Sequence, residues 1–433
     1  MKFPGQRKSK HYFPVESRDP LTNELNPIIQ PKGVHVTGID QTLVDIEAHV
    51  DEAFIARHQL VKGNSMLIDD EAAHRLYQEL CDGRLINEEH AGGTIGNTLH
   101  NYATLADDRA VMFGVMSRNI QIGSYAYRYL CNTSSRVDLN YLQPVDGPIG
   151  RCFTLITECG ERTFAISKGS MDKLTPANID ENVVKSASAL VLTAYLMRAG
   201  DDPISEAAMT AIRYAHEAQV PVVLTLGTRF LIEQDPEWWQ TFIRDHVTVL
   251  AMNEEEAQAL TGESDPLLAC DKALELCDLI LCTAGSKGLY TAGWTDDEFK
   301  RETAHPLLPG AIGEFNRYEF SRPISKAECD QPLKVFSHIA PFMGGPEKIS
   351  NTNGAGDGAL AALLHDMAAN AYHKLNLPNS SKHRYSGLCY SSFAQLCKYA
   401  NRVSYEVLAQ YSPRLSRGLP EREDSLEEAY WER

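Results

Sequence analysis

One stretch of the chain concentrates groups suited to handling an anion: Asn351-Thr352-Asn353-Gly354-Ala355-Gly356-Asp357-Gly358, followed by the apolar run Ala359-Leu360-Ala361-Ala362-Leu363-Leu364. Small residues opening an apolar helix let backbone N–H groups converge at its N-terminus. There the macrodipole adds about half a positive charge, and an anion is held without a basic side chain. Asp357 falls in the first turn, where a carboxylate caps the helix and could also take a proton from a hydroxyl attacking a phosphate. The simpler reading of the same residues is an N-cap with helix-packing glycines.

Other candidates are scattered along the sequence. Asp45, at a strand end, can accept from two vicinal hydroxyls, and Asn97, just inside a helix, can add one donor and one acceptor. Gly92-Gly93 frees the backbone on both sides for a hinge, or simply makes a tight turn. Asn253 and Glu256 stand one helical turn apart at a helix start, so both point to one face and could share Mg²⁺-bound water; an N-capped acidic first turn is the plainer account. Arg198 follows a buried strand, near where ligands gather at the carboxyl ends of parallel strands. It could meet a base or a phosphate, or lie in solvent. Lys287 could lie along phosphates or be a solvated loop lysine.

The elements that must position these residues read as α/β. From Gly33 the pattern is strand-like through Val50, two strands in succession that suggest a hairpin or meander. Helical patterns at 69–80 and 94–106 precede a buried strand at 110–116. Phe153–Thr157 and Arg162–Ile166 flank Glu158-Cys159-Gly160-Glu161, a hairpin expected outside the main sheet. Beyond Ala187 strands (188–197, 221–226, 247–251, 278–282) alternate with helices (203–218, 236–244, 253–261, 264–276), which implies a parallel sheet covered on both faces. Trp238-Trp239 reads as core packing of a sheet-covering helix. Residues 293–350, interrupted by prolines, read as an insertion, and helices at 355–371 and 391–410 complete the chain. Residues 1–30 read as a tail or strap preceding a 31–433 domain.

Composition narrows the functional classes. The chain has 433 residues, 43% hydrophobic and 23% charged, ordinary for a folded protein. Its formal charge of −17 disfavours nucleic acid as a partner, so bound phosphates must be neutralised locally. No run of eighteen apolar residues or secretory core occurs, so no membrane association and a cytoplasmic location are expected. The ten cysteines form no C-x-x-C pair, and the 14 histidines show no metal-ligand spacing, His100 included, which reads as helix packing. Neither G-x-x-x-x-G-K-[ST] nor G-x-G-x-x-G is present, so Walker-type and dinucleotide-binding readings lose their support.

In this order the motifs resemble those of the ribokinase-like (PfkB) carbohydrate and nucleoside kinases. Gly354-Ala355-Gly356-Asp357 resembles the family's second signature, and Gly92-Gly93-Thr94-Ile95-Gly96-Asn97 its first. Gly38 to Ile46 is similar to the segment whose final Asp, here Asp45, binds sugar hydroxyls. Asn253-Glu254-Glu255-Glu256 matches N-x-x-E, and Thr283-Ala284-Gly285-Ser286-Lys287-Gly288 resembles the loop under the nucleotide. The likeness runs nearly end to end and is strongest to the family's purine-nucleoside kinases, including Met1 to Gly5 and Leu419 to Asp424.

The resemblance implies a mostly parallel central sheet flanked by helices, with a small β-sheet lid formed by strands from roughly 42–68 and 150–168. It implies ATP- and Mg²⁺-dependent phosphorylation of the ribose 5′-hydroxyl of inosine or guanosine, with a ribokinase- or fructokinase-like sugar kinase, or a non-catalytic nucleotide-binding regulator, as alternatives. Asp357 would be the base, with Gly354, Ala355 and Gly356 as the anion hole. Asp40, Asp45, Gly92, Gly93, Asn97 and Arg198 would contact the nucleoside. Thr283, Gly285, Lys287, Gly288, Asn353 and Asn401 would contact ATP, and Asn253 and Glu256 would hold Mg²⁺ through water. Asn351 stands where the family usually has Asp, which puts K⁺ activation in doubt. A homodimer is compatible with the family.

Overall fold

A computed structural model describes residues 33–106, 108–198, 202–303, 317–342, 349–350, 352–416 and 418–419. The proposed N-terminal strap and Asn351 lie outside them, as do Met1 to Gly5 and most of Leu419 to Asp424.

The chain lays down two sheets by turns. β1 (His35–Ile39) enters a large sheet; β2 (Leu43–His49), β3 (Ser65–Leu67) and β4 (Ile86–Ala91) form part of a smaller one. The chain returns to the large sheet with β5 (Arg109–Ser117), β6 (Val137–Asp138) and β7 (Leu142–Val145), then completes the small sheet with β8 (Gly150–Ile156) and β9 (Arg162–Ser167). β10 (Leu190–Thr193), β11 (Val222–Thr225), β12 (Val249–Asn253), β13 (Leu279–Thr283), β14 (Leu289–Asp296) and β15 (Pro332–Ile339) finish the large sheet.

The large sheet has ten strands in the order β15-β14-β13-β12-β11-β10-β1-β5-β6, with β7 beside β5. It is parallel from β13 to β6, and β14 and β15 are antiparallel. Alternation along its strands feeds two cores. Val191, Val223, Val249 and Leu279 pack beneath the helices Thr94–Ala106, Ala355–Asn376 and Phe393–Leu408. Leu190, Leu192, Leu224, Leu250 and Ile280 pack beneath Pro203–Glu217, Pro236–His246, Glu254–Thr261 and Pro266–Ala273. Burial on both faces explains why these strands read as unbroken apolar runs.

Three expectations need correction. β1 and β2 are not a hairpin or meander: β1 pairs with β5 and β10 in the large sheet, whereas β2 pairs with β4 and β8 in the small one. Both alternate apolar and polar residues, and only their distant partners decide the sheet. Asp45 lies within β2 rather than at a strand end, opposite His90 and Cys152. Of the two tryptophans, Trp239 is buried and donates from its indole nitrogen to the Leu231 carbonyl at 3.1 Å, but Trp238 is 45% exposed. One helical step of about 100° carries it off the face that Trp239, Phe242 and Ile243 share.

The hairpin β8–β9 forms as expected, with Gly160 at φ +83 in its turn, and belongs to the small sheet. Within 293–350, β14 ends at Asp296 and Pro332–Ile339 returns as the edge strand β15.

Candidate active site

β1 is flanked by β10 on one side and β5 on the other, so the strand order reverses there, the place where open α/β sheets bind ligands beyond their carboxyl ends. A cavity of about 1420 Å³ occupies that position, roofed by Val61, Met66, Phe164 and Ile166 of the small-sheet region. It is lined by Asp40, Asp45, Gly93, Asn97, Arg198, Asn253, Glu256, Thr283, Gly285, Gly288, Asn353, Gly354, Ala355, Gly356, Asp357 and Asn401. Gly92 and Lys287 do not line it. Gly92 packs against the Asp45 carboxylate, and Lys287 pairs with Glu254 at 2.8 Å, half exposed.

The loop that opens the Ala355–Asn376 helix has the backbone that its glycines permit. Gly354 is the helix N-cap in the left-handed region, φ +79, and a Cβ there would meet Pro413 at 2.5 Å. Gly356 faces open space, where a Cβ would touch nothing of the protein. Asp357, half-buried in the first turn, accepts a hydrogen bond from the Asn97 side-chain amide at 3.1 Å, joining residues 260 positions apart. Burial pushes its pKa up to about 7; Asp40 and Asp45 nearby add to the rise, while the Asn97 bond and Arg414 oppose it. A carboxylate so poised is a competent base near neutrality.

At the substrate end, Asp40 caps the Thr94–Ala106 helix from a distance, accepting from Gly96 N–H at 2.8 Å and Ile95 N–H at 3.3 Å. Gly93, at φ +88, leaves no room for a side chain beside that carboxylate. Burial raises Asp40 to about 7 and Asp45 to about 6. The guanidinium of Arg198 lies 5.0 Å from the Tyr195 ring centre and has no hydrogen-bond or ion-pair partner among the described residues.

At the nucleotide end, β13 delivers Thr283 into a turn whose Gly285 and Gly288 adopt positive φ; a side chain at Gly288 would collide with the Ile339 carbonyl. Asn401 donates to the Ala340 carbonyl at 2.8 Å, fixing the opposite wall. Asn253 and Glu256 form a reciprocal capping box, Asn253 Oδ1 accepting from Glu256 N–H at 2.8 Å and Glu256 Oε2 accepting from Asn253 N–H at 2.9 Å. Glu256 is nonetheless buried at the cavity wall, where desolvation raises it to about 7. No group of three metal-ligating side chains exists among the described residues. A buried carboxylate facing the cavity without a cationic partner fits a hydrated Mg²⁺ carried on phosphates, which keeps its waters, rather than an all-protein cage.

Two arginines that the sequence reading missed complete the site. Arg162, at the start of β9, reaches across from the small sheet and donates to Thr352 Oγ1 and Asn353 Oδ1, both at 2.9 Å. Arg414 donates to Asn97 Oδ1 at 2.9 Å and to the Gly92 carbonyl at 3.1 Å. Neither sits in a motif, and each acts over a sequence distance that no local pattern reports.

Residues 87–307 match the pfkB family carbohydrate kinase description. The chain is 67% identical over 434 residues to the guanosine-inosine kinase of Escherichia coli (strain K12), covering 100% of both chains. In fold it is similar to the adenosine kinase of Sinorhizobium meliloti (TM-score 0.64, 22% identity, 89% of this chain and 97% of that one). It is likewise similar to a probable sugar kinase of Rhizobium etli (TM-score 0.66, 20% identity, 93% and 99%). With the anion loop, diglycine turn and N-x-x-E pair gathered on one cavity of this fold, the chain belongs to the pfkB family of carbohydrate kinases and is a phosphotransferase acting on a hydroxyl group.

Proposed function

We propose that the chain transfers the γ-phosphoryl group of ATP to the ribose 5′-hydroxyl of inosine and guanosine, in the presence of Mg²⁺. The observation that supports this reading is the bond from Asn97 to Asp357, which brings a side-chain amide and a carboxylate together at the N-terminus of the Ala355–Asn376 helix. The similarity to the Escherichia coli guanosine-inosine kinase supports the choice of nucleoside.

In this mechanism Asp45 accepts from the ribose 2′,3′-diol and Asn97 orients the sugar, so that the 5′-hydroxyl faces Asp357. Asp357 receives the hydroxyl proton as the oxygen attacks the γ-phosphorus in line, while the bond from that phosphorus to the β–γ bridging oxygen breaks and ADP leaves. The N–H groups of Gly354, Ala355 and Gly356, at the helix start, meet the charge that develops on the phosphoryl group. Mg²⁺, when bound beside Asn253 and Glu256 through water, supplies further charge to the phosphate oxygens. The apolar side chains Val61, Met66, Phe164 and Ile166 over the cavity would limit water at the transfer site.

Base choice is assigned to Arg198. Its guanidinium, unpaired among the described residues, offers two parallel donors, which match O6 and N7 of hypoxanthine and guanine; adenine would present a donor, its 6-amino group, to those donors.

The test is a panel of ribose, fructose, adenosine, inosine and guanosine with Mg·ATP. The expected result is the highest kcat/KM for inosine and guanosine, with IMP and GMP as products. Preference for a free sugar, or no turnover of any acceptor, overturns the reading.

A further inference from the structure

We propose that Arg414 is a positioning residue for phosphoryl transfer: its guanidinium locks the Asn97 amide in the one orientation that serves Asp357, and holds the diglycine turn beside it. The inference rests on the kinase reading but not on which acceptor is used.

Arg414 is only 4% exposed, and each of its three guanidinium nitrogens donates a hydrogen bond. Nε donates to Asn97 Oδ1 at 2.9 Å, Nη2 to the Gly92 carbonyl at 3.1 Å, and Nη1 to Thr133 Oγ1 at 2.7 Å and the Asn132 carbonyl at 3.2 Å. Guanidinium nitrogens donate and never accept, so the oxygen of the Asn97 amide must face Arg414. The amide nitrogen is thereby left for Asp357. With the amide reversed, N–H would confront N–H on one side and carbonyl would confront carboxylate on the other. Two unfavourable contacts thus enforce one orientation.

The segment carrying Arg414 is itself fixed by the helix that carries Asn97. His100 and Asn101 stand three and four residues after Asn97, on the same helical face. His100 accepts from Ser134 N–H at Nδ1, 3.0 Å, so its Nε2–H donates to the Leu415 carbonyl at 3.0 Å. Asn101 donates to the Pro413 carbonyl at 3.1 Å and accepts from Leu415 N–H at 2.7 Å. Pro413 in turn packs on Gly354, the first residue of the anion helix cap. One tripeptide therefore touches the substrate hinge on one side and the phosphate loop on the other. Among the described residues, the groups acting on the Asp357 carboxylate are Asn97, Asp40, Asp45 and Arg414, so Arg414 is the cation set against three carboxylates there.

The experiment is a double-mutant cycle on the full chain, Arg414→Met, Asn97→Ala and the pair, run with whichever acceptor of the panel the wild type phosphorylates. In this way the nucleoside assignment can fail without this inference failing. Arg414→Met is expected to lower kcat about a hundredfold while KM for ATP stays within about twofold. The double variant should lose little more than the worse single variant, because Arg414 acts through Asn97. The acid limb of the pH–rate profile should move to higher pH in Arg414→Met and stay near wild type in Arg414→Lys, which keeps the charge but loses the fork. If Arg414→Met does not fold, Arg414→Lys takes its place in the cycle. Losses that multiply in the double variant, or a kcat within about threefold of wild type in the folded variant, overturn the proposal.

Discussion

Two glycines two residues apart have opposite duties. Gly354 needs its left-handed φ and its contact with Pro413, whereas Gly356 has room for a Cβ on the protein side and is kept small for what approaches from the cavity. Gly354→Ala should therefore destabilise the fold by about 1 kcal/mol or more, from the positive φ alone. Gly356→Ala should leave Tm within about 1 °C while cutting kcat/KM for Mg·ATP at least about tenfold, as read by thermal melts and initial rates. Asp357→Asn keeps the shape and the hydrogen bond to Asn97 but removes the proton acceptor. Turnover should fall by about three orders of magnitude with ATP binding by calorimetry preserved, and near-wild-type turnover would remove Asp357 from its role. Because Asp357 is held at about 7, kcat/KM should decline as the pH falls below that value, with the carboxylate increasingly protonated. Arg198→Gln, whose amide can accept from the adenine 6-amino group, should move the inosine-to-adenosine preference toward adenosine by about tenfold.

At the scale of elements, Arg162 ties the small sheet to the loop before the Ala355–Asn376 helix. Arg162→Met should lower kcat by about tenfold or more and increase amide exchange across β8 and β9, since the roof loses its tie to Thr352 and Asn353. Exchange unchanged in this variant would mean that the roof is held elsewhere. The same element shows what the sequence carries and what it hides. The anion loop, the diglycine turn and the N-x-x-E box are legible because each chemistry is packed into a few consecutive residues with glycine or capping signals. The latch and the Arg414 clamp are two arginines among the 41 basic residues, marked only by partners 190 and 317 positions away. Lys287, by contrast, stands inside a legible motif, yet its charge goes to Glu254. The β1–β2 misreading has the same root, because alternation reveals a half-buried strand but not which sheet buries it.

Over the whole molecule, a charge of −17 leaves phosphate binding to local devices, and burying acids at the site has a cost in stability. Asp40, Asp45, Asp357 and Glu256 all have pKa values raised by burial, to about 7, 6, 7 and 7. Between the ordinary carboxylate range and those values the folded state holds more protons than the unfolded one, so this contribution to stability falls as pH rises through about 4 to 7. Asp357→Asn, free of that ionisation, should therefore melt higher than wild type at pH 8, of the order of a few degrees, and the gap should shrink toward pH 5. A gap independent of pH would show that Asp357 is not the group responsible. The alternation of strands and helices beyond Ala187 made the large sheet legible at this scale, because strands buried on both faces announce themselves by composition.

The seating of residues 413–415 along one face of the Thr94–Ala106 helix bears on how the protein is born. A ribosome making this chain emits Asp40, Asn97 and the anion loop well before Arg414, so the nascent polypeptide can fold its sheets while its catalytic amide is still free to turn over. Full activity should appear only after that arginine has cleared the exit tunnel.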